Sequence, residues 1–147
     1  MGRSVNVKEK TRVGIVGCGR IARDAHMPAF RKLPGVEVVA VADRDLRRAT
    51  MFASENHIPF ACSGYEQLIT RSDIQLIDIC TPPPDHAKIA IYAAESGKHV
   101  LIEKPMALAL EPARELVRVA GRKQVKVGVV HNYRFLSCVE RLRECIC

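Results

Sequence analysis

The sequence predicts an α/β protein whose parallel sheet is doubly wound, as in a Rossmann fold. Two observations carry this prediction: short apolar runs alternate with stretches of helical periodicity, and a glycine turn follows the first run. The short loops between these segments favour parallel strands with helices on both faces of the sheet. At 147 residues, the chain is long enough to form one domain with a proper hydrophobic core.

The glycine turn lies within RVGIVGCGRIAR, at positions 12–23. Its G-x-G-x-x-A spacing is typical of dinucleotide-binding proteins, although glycine turns between strands and helices are also common without that function. Gly17 allows the sharp turn, Gly19 lets a diphosphate approach the main chain, and Ala22 allows close packing of helix on strand. The diphosphate would face free amides at the positive end of the helix. The cofactor-binding residues predicted here are Gly17, Gly19, Arg20 and Ile21.

The second apolar run, VEVVAVA at 36–42, ends at Asp43. Asp43 lies 21 positions after Ala22, close to the spacing of about 20 that a ribose-binding acid requires. We expect Asp43 to accept a hydrogen bond from the ribose 2′-hydroxyl and to repel a 2′-phosphate, which favours NAD. Arg44 could instead hold that phosphate or stack on adenine, so NADP stays open. The alternative for Asp43 is a helix cap or turn residue.

The remaining elements follow from periodicity and from turn residues. Further strands are predicted at 58–62, 76–80, 99–102 and 126–130, and Pro59 places the first of them at an edge. The first helix is predicted from about Arg20 to Leu33, with a kink or an end of its regular part at Pro28. The predicted inward positions of the helices are Ala22, Ala25 and Ala29; Leu46, Ala49 and Ala53; Ala87, Ala90, Ile91 and Ala94; and Ala113, Leu116, Val117 and Ala120.

Composition excludes several other functions. The net charge is +7, but the basic residues are scattered and are not interleaved with aromatic residues. This favours solvated helix faces over a nucleic-acid surface. No stretch approaches the length of a membrane span, and positions 1–10 lack the apolar region of a secretory signal. We therefore predict a cytoplasmic protein that binds neither membrane nor nucleic acid.

The six cysteines are predicted to be reduced thiols. No C-x-x-C pair occurs, and nothing else in the sequence suggests secretion. The C-x-C at 145–147 could bind a metal or oxidise, but this pattern alone is weak, and no metal site is predicted.

The unusual residues collect where the predicted strands end, which is where open α/β sheets bind ligands. They are Gly17 to Arg20, Asp43-Arg44, Thr81-Pro82-Pro83, His86, Glu103-Lys104-Pro105 and His131-Asn132-Tyr133-Arg134. His99 begins a strand and therefore belongs to the opposite edge.

Three motifs resemble the Gfo/Idh/MocA oxidoreductases, the family of glucose–fructose oxidoreductase and inositol dehydrogenase. They are VGIVGCGRIA at 13–22, TPPPDHAKIAIYAAESGKHVLIEKPMAL at 81–108 and NYRF at 132–135. The resemblance to this family extends over nearly the whole chain from Arg12. The resemblance implies a nicotinamide-dependent dehydrogenase that acts on a sugar, a cyclitol or a similar polyol.

The resemblance also implies roles for individual residues. Lys104, the lysine of E-K-P, would lie near the nicotinamide and would orient or relay the proton leaving the alcohol. Without the resemblance, a solvated lysine at a strand end would be the preferred interpretation. Glu103 would position Lys104 or bind the nicotinamide ribose, and Pro105 could follow a cis bond. The remaining assignments are Thr81 and Pro82 at the cofactor, His86 as either a cofactor contact or part of the helix N-terminus, and Arg134 as either a substrate contact or a surface ion-pair residue.

The predicted organisation is a flexible tail at 1–10, a dinucleotide-binding domain at 11–134, and at 135–147 the start of a helix leading towards a second domain. Enzymes of this family continue into that α/β domain, which supplies substrate contacts and usually the oligomer interface. We therefore expect this chain to bind NAD weakly, to turn over little or nothing, and to self-associate through exposed apolar surface. The alternatives left open are a non-catalytic NAD sensor or partner module, and a nucleic-acid-binding protein.

Overall fold

The computed structural model describes residues 10–146, and six strands in this range form one parallel sheet. The strands are β1 (Thr11–Val16), β2 (Val36–Ala42), β3 (Phe60–Cys62), β4 (Leu76–Ile79), β5 (His99–Glu103) and β6 (Val127–Val130). Their order across the sheet is β3-β2-β1-β4-β5-β6. This is the doubly wound order of a Rossmann fold, so the predicted fold class is confirmed. The strand around Pro59 lies at an edge, as predicted.

Helices connect the strands. They are a π-helical segment (Ala22–His26) that runs into α1 (Met27–Arg31), then α2 (Leu46–Asn56), α3 (Tyr65–Ile69), α4 (Pro83–Glu95), α5 (Leu110–Lys123) and α6 (Ser137–Ile146), with a 3₁₀ turn at Asn132–Phe135 before α6. Within the described range, no helix is both long enough and apolar enough to cross a bilayer.

Residues 10–146 contain two apolar cores. The first joins β1 and β2 to the first helical stretch and α2, and its large members include Ile15, Phe30 and Phe52. The second joins the sheet to α3, α4 and α5, around residues such as Ile77 and Leu116. The cores hold the sheet between helices, which is why the central strands read as continuous apolar runs.

Strand register brings the carboxyl ends together. Val16, the last residue of β1, pairs with Ala42 of β2 on one side and with Ile79 of β4 on the other. Ile79 in turn pairs with Ile102 of β5. The loops that leave these four strands therefore meet at one edge of the sheet.

The inward face predicted for the first helix is partly wrong. Ala22 is fully buried, but Ala25 and Ala29 are exposed. The cause is the π-helical turn, in which the amide of Met27 bonds to the carbonyl of Ala22. This i→i+5 bond widens the turn, so that the buried residues after Ala22 include His26 and Met27.

Two further inward assignments are also wrong. Leu46 is exposed, and Phe52 fills the core position with Ala49 and Ala53. In α5, Val117 is 64% exposed, whereas Val119 is fully buried. In α2 and α5, the buried apolar face is therefore narrower than the number of apolar residues on the helix suggests.

Some predictions fall on residues outside the described range. These are the predicted tail, apart from Lys10, and the last residue of the C-x-C, Cys147. The five cysteines inside the range are free thiols: Cys18, Cys62 and Cys80 are buried, and Cys138 and Cys145 are exposed.

Candidate active site

A cleft of about 410 Å³ opens where β1, β2 and β4 end. Its walls come from the glycine turn, the residues after β2, and the loop that leads into α4. The predicted cofactor residues that line it are Gly17, Gly19, Arg20, Ile21, Asp43, Arg44, Thr81 and Pro82. Its volume lies within the range typical of small-molecule sites.

Gly17 is required by the fold itself. Its φ is +97°, and a Cβ at this position would lie 2.7 Å from the carbonyl carbon of Cys80. The β1 turn therefore passes directly against the end of β4, with no space for a side chain. Only glycine adopts this conformation without strain and also permits this approach.

Gly19 differs from Gly17, since a Cβ there would meet no protein atom within 4 Å. Packing within the protein therefore does not require glycine at this position, whereas a ligand seated on the main chain would. Thr81 lines the same cleft, and its buried Oγ1 has no hydrogen-bond partner among the described residues. An open cradle and an unpaired hydroxyl in one cleft could accommodate the diphosphate of a dinucleotide.

Asp43 holds the glycine turn in place. Its Oδ2 accepts a hydrogen bond of 2.9 Å from the amide of Cys18, and its Oδ1 accepts one of 2.9 Å from the amide of Asp45. The guanidinium of Arg48 lies 3.4 Å from both carboxylate oxygens. The carboxylate thus fixes the loop and also lines the cleft.

Burial and the nearby Asp43 carboxylate raise the pKa of the Cys18 thiol to about 12. The thiol therefore stays protonated and uncharged at neutral pH, inside the turn that faces the cleft.

The charge of the cleft suits an anionic ligand. Four basic side chains and two acidic ones line it, namely Arg20, Arg44, Arg48 and Lys88, with Asp43 and Asp85. Arg48 and Lys88 were not predicted as site residues, because each lies on a helix at a position typical of a solvated charge.

Lys104 lies in a second cleft, of about 490 Å³, beyond the end of β5. Arg134 lines the same cleft, together with His131 and Arg143. All of these side chains are exposed, and no acidic residue lines the cleft within the described range. The predicted catalytic and substrate residues are therefore brought together, at a place separate from the glycine turn.

Glu103 lies between this cleft and the interior. Its Oε2 accepts a hydrogen bond of 3.1 Å from the amide of Lys104, and its Oε1 lies 3.0 Å from Nε2 of His26. The peptide bond between Lys104 and Pro105 is cis, as expected. Within the structure, Glu103 thus contacts the main chain of Lys104 and the ring of His26.

The family model for oxidoreductases with an NAD-binding Rossmann fold, GFO_IDH_MocA, matches residues 11–131. The chain belongs to the Gfo/Idh/MocA family. The resemblance seen in the three motifs is thereby confirmed.

Several members of the Gfo/Idh/MocA family are similar to this chain. The dTDP-3,4-didehydro-2,6-dideoxy-alpha-D-glucose 3-reductase of Saccharopolyspora spinosa is 36% identical over 88% of this chain and 38% of its own length. The 1,5-anhydro-D-fructose reductase of Ensifer adhaerens is 33% identical over 92% of this chain and 40% of its own length. The chain thus spans about two fifths of the length of these curated relatives.

Solved structures agree with this assignment. The WlbA dehydrogenase of Bordetella pertussis, in complex with NADH and UDP-GlcNAcA, superposes with a TM-score of 0.88 and 26% identity, over 94% of this chain and 42% of its own. A 3-ketoreductase from Actinomadura kijaniata, in complex with NADP and TDP-benzene, gives a TM-score of 0.88 and 28% identity, over 94% and 42%. Both nicotinamide dinucleotides are therefore found with this fold.

His86 does not line the first cleft. Its ring is 1% exposed; Nδ1 lies 2.8 Å from the carbonyl oxygen of Pro105, and Nε2 lies 2.7 Å from that of Thr81. A carbonyl oxygen can only accept, so each bond requires an N–H on the ring nitrogen concerned. His86 therefore links the loop after β4 to the loop after β5, which the sequence analysis did not anticipate.

His26 and Asp78 are two further residues near the site that were not predicted from the sequence. His26 lies in the π-helical segment, and Asp78 lies fully buried inside the apolar run of β4. A buried charge in the middle of a strand is rare unless it is paired, so Asp78 alone was a signal that a partner had to exist.

Proposed function

We propose that this chain binds NAD through the glycine turn and uses Lys104 in a hydride-transfer reaction on a sugar, a cyclitol or a similar polyol. The observation that carries the proposal is the open space at Gly19, in the same cleft as Thr81, whose hydroxyl is unpaired among the described residues. Membership of an NAD-binding oxidoreductase family supports it. When bound, the nicotinamide would accept or supply the hydride.

The residues of the first cleft would bind and orient the dinucleotide. The free amides after Gly19 would donate to the diphosphate, and Thr81 Oγ1 would donate to or accept from a neighbouring polar group. Asp43 would accept a hydrogen bond from the 2′-hydroxyl of the adenosine ribose, and this favours NAD. Arg44 and Arg48 lie beside it, so we propose that NADP also binds, more weakly.

Lys104 would act at the reacting hydroxyl. In the oxidation direction, the neutral Nζ amine would accept the proton that the alcohol oxygen loses; in the reduction direction, the Nζ ammonium would donate that proton to the carbonyl oxygen. Glu103 supports this role because it bonds to the Lys104 main chain and fixes where the side chain begins. Arg134, in the same cleft, would bind a substrate group farther from the reacting carbon.

The cationic lining of the second cleft narrows the substrate class. Lys104, Arg134 and Arg143 are all basic, so a sugar that carries a carboxylate or a phosphate would be bound more tightly than a neutral polyol. We also propose that residues 11–146 alone turn over slowly, because the described part of the chain leaves Lys104 exposed to solvent on this side. Self-association and a cytoplasmic location stay predictions.

Cofactor binding is tested by titrating NADH and NADPH into the chain by calorimetry, with Gly19→Ala as the variant. Gly35→Ala is a matched control, since a Cβ at Gly35 also meets open space but lies outside the cleft. We expect Gly19→Ala to weaken NADH binding at least about tenfold, or about 1.4 kcal/mol, and Gly35→Ala to leave it unchanged. Equal effects of the two variants would contradict the proposed site.

The role of Lys104 is tested by assaying NADH formation or consumption with anionic and neutral sugars. Lys104→Ala should lower turnover by about 10²-fold or more, with NADH binding within about twofold of wild type. Lys126→Ala, at the opposite edge of the sheet, serves as the control. Retained turnover in Lys104→Ala would rule out the proposed role. NADH binding without turnover of any tested sugar would favour the sensor or partner module.

A further inference from the structure

Behind Lys104 lies a buried chain of three ionisable side chains, and the proposed reaction uses only one of them, Glu103. His26 Nδ1 is 2.9 Å from Oδ2 and 3.0 Å from Oδ1 of Asp78, and its Nε2 is 3.0 Å from Oε1 of Glu103. The His26 and Asp78 side chains are 6% and 0% exposed, and that of Glu103 is 12% exposed. One imidazole thus lies between two carboxylates, away from bulk water.

The donors and acceptors decide the charge of the ring. An ionised carboxylate can only accept a hydrogen bond, so both ring nitrogens must donate. A neutral imidazole has a single N–H and would leave one nitrogen lone pair facing a carboxylate oxygen. The imidazolium satisfies both bonds, and its positive charge stabilises two carboxylates that would otherwise repel each other at low dielectric.

The other groups around the His26 ring are consistent with its being an imidazolium. Cys80 Sγ lies 3.4 Å from Asp78 Oδ2, and burial first, then Asp78, raises the pKa of this thiol far above its usual value. Cys80 is therefore an uncharged donor to Asp78. On the same helical segment as the ring, Arg23 and Asp24 are exposed to solvent and carry opposite charges. The groups that face His26 from β4 and β5 are thus Asp78, Cys80 and Glu103.

Three parts of the site meet through this ring. His26 belongs to the helical stretch that begins at the glycine turn, Asp78 belongs to β4, and Glu103 ends β5. The last link is the bond from the amide of Lys104 to Glu103 Oε2. The path from the glycine-turn helix to the main chain of Lys104 is therefore continuous: helix, imidazole, carboxylate, amide.

We propose that His26 is a positioning residue, which as an imidazolium bridges Asp78 and Glu103 and thereby fixes Glu103 against the main chain of Lys104. The benefit of positioning Lys104 rests on the proposed function. The charge state of His26 does not, because it can be tested without any ligand. The geometry predicts that losing either end of the bridge frees Glu103 and changes the environment of the Lys104 amide.

The charge of the ring is tested by nitrogen-15 NMR of the five histidine side chains at pH 7.5. The resonances of His26 are identified as those missing in His26→Gln. We expect both ring nitrogens of His26 to be protonated, and Asp78→Asn to convert the ring to a neutral tautomer at the same pH. A neutral His26 ring in the wild type would overturn the proposal. So would zinc bound by His26, Asp78 and Cys80, whose donor atoms lie within 4.8 Å of one another.

The positioning is tested by the amide resonance and the hydrogen-exchange rate of Lys104. Asp78→Asn, which preserves the shape of the side chain, should shift this resonance and accelerate exchange at least tenfold. His57→Asn is the matched loss of a histidine, since His57 is exposed and its left-handed φ of 57° suits Asn. An unchanged Lys104 amide in both Asp78→Asn and His26→Gln would overturn the positioning role.

NADH titrations separate this inference from the proposed function. If the bridge is an imidazolium and the Lys104 amide responds to Asp78→Asn, the inference holds even if NADH fails to bind. NADH binding that is weakened by Gly19→Ala would support the cofactor site. If the Lys104 amide resonance and exchange rate are then unchanged in Asp78→Asn and His26→Gln, the positioning role is wrong. If His26→Gln does not fold, Asp78→Asn and the wild-type spectrum still decide the outcome.

Discussion

The two halves of the sheet differ in how completely they are covered. β1 and β2 are buried along most of their length, between helices on both faces. At the other side, β6 contains no buried residue, and neither does α6. The glycine turn follows β1, in the covered half of the sheet. Lys104 and Arg134 follow β5 and β6, in the less covered half. The cofactor cleft is therefore built by a complete core, and the lysine cleft depends on a few polar links to that core.

The largest expected effect is at the closest approach in the covered half. Gly17→Ala adds a Cβ 2.7 Å from the main chain of Cys80 and strains a φ of +97°. Gly97→Ala is the matched control, because φ is +75° there but the space is open. We expect losses in the free energy of unfolding of about 3 kcal/mol and about 1 kcal/mol, respectively, measured with urea. Equal losses would mean that the turn has room to move.

The second largest effect is the contribution of His26 to the free energy of unfolding, and it depends on pH. The bonds of His26 to Asp78 and Glu103 link the two halves of the sheet. Burial, the largest single cause, lowers the pKa of His26, but the bonds and charges of Asp78 and Glu103 outweigh it and raise the pKa to about 9. The ring in the unfolded chain titrates near 6.5. The pKa of His26 is therefore higher in the folded than in the unfolded chain. For this reason, the contribution of His26 to the free energy of unfolding is complete below pH 6.5 and is lost as pH rises through 9.

This linkage is measured by urea unfolding of wild type and His26→Gln between pH 6.5 and 9.5. Each pKa unit corresponds to about 1.4 kcal/mol, so the advantage of the wild type should shrink by at most about 3 kcal/mol over this range. His57→Asn should show no such trend, since His57 is exposed. An advantage that stays constant across the range would show that His26 does not change its charge there.

A third effect compares two valines on one helix. Val119 is fully buried in the second core, whereas Val117 is 64% exposed on the same helix, α5. Val119→Ala should cost about 2 kcal/mol of unfolding free energy, from lost burial and a residual cavity. Val117→Ala should stay within about 0.5 kcal/mol. A comparable cost at Val117 would reveal that this face is covered in solution, and size measurements would then show self-association.

Much of the fold could be predicted because it depends on local patterns. The alternation of apolar runs, the glycine spacing, and the acid at Asp43 predicted the doubly wound parallel sheet and six residues that line the first cleft, four within 17–21 and two at 43–44. These features depend on backbone conformation and on spacing along one βαβ unit, both of which a single sequence displays.

The polar links could not be predicted, because they join residues far apart in the chain. His26 bonds to Asp78 and Glu103, which lie 52 and 77 positions away. His26 also lies in a π-helical segment, and α-helical periodicity gives no sign of that segment. His86 was identified as unusual, but its ring faces two main-chain carbonyls, and those contacts appear only once the loops after β4 and β5 are placed side by side.

The smallest expected effect is the choice between NAD and NADP. Arg48 lines the cofactor cleft, its side chain is 51% exposed, and its guanidinium lies 3.4 Å from Asp43. A 2′-phosphate would gain from this charge, whereas a ribose hydroxyl would gain little. Arg48→Gln should weaken NADPH binding about fivefold, or about 1 kcal/mol, as expected for an exposed ion pair, and NADH binding less than about twofold.

Arg47→Gln is the matched control for this choice, because Arg47 is the neighbouring exposed arginine on α2 and does not line the cleft. Calorimetry at low and at 0.5 M salt should show the Arg48 effect shrinking as salt screens exposed charges. If Arg47→Gln and Arg48→Gln weaken NADPH binding equally, the affinity for NADPH depends only on the net charge of the protein. If Arg48→Gln instead strengthens NADH binding, the ion pair with Asp43 competes with the ribose, and the carboxylate is less available to the hydroxyl than its position in the cleft suggests.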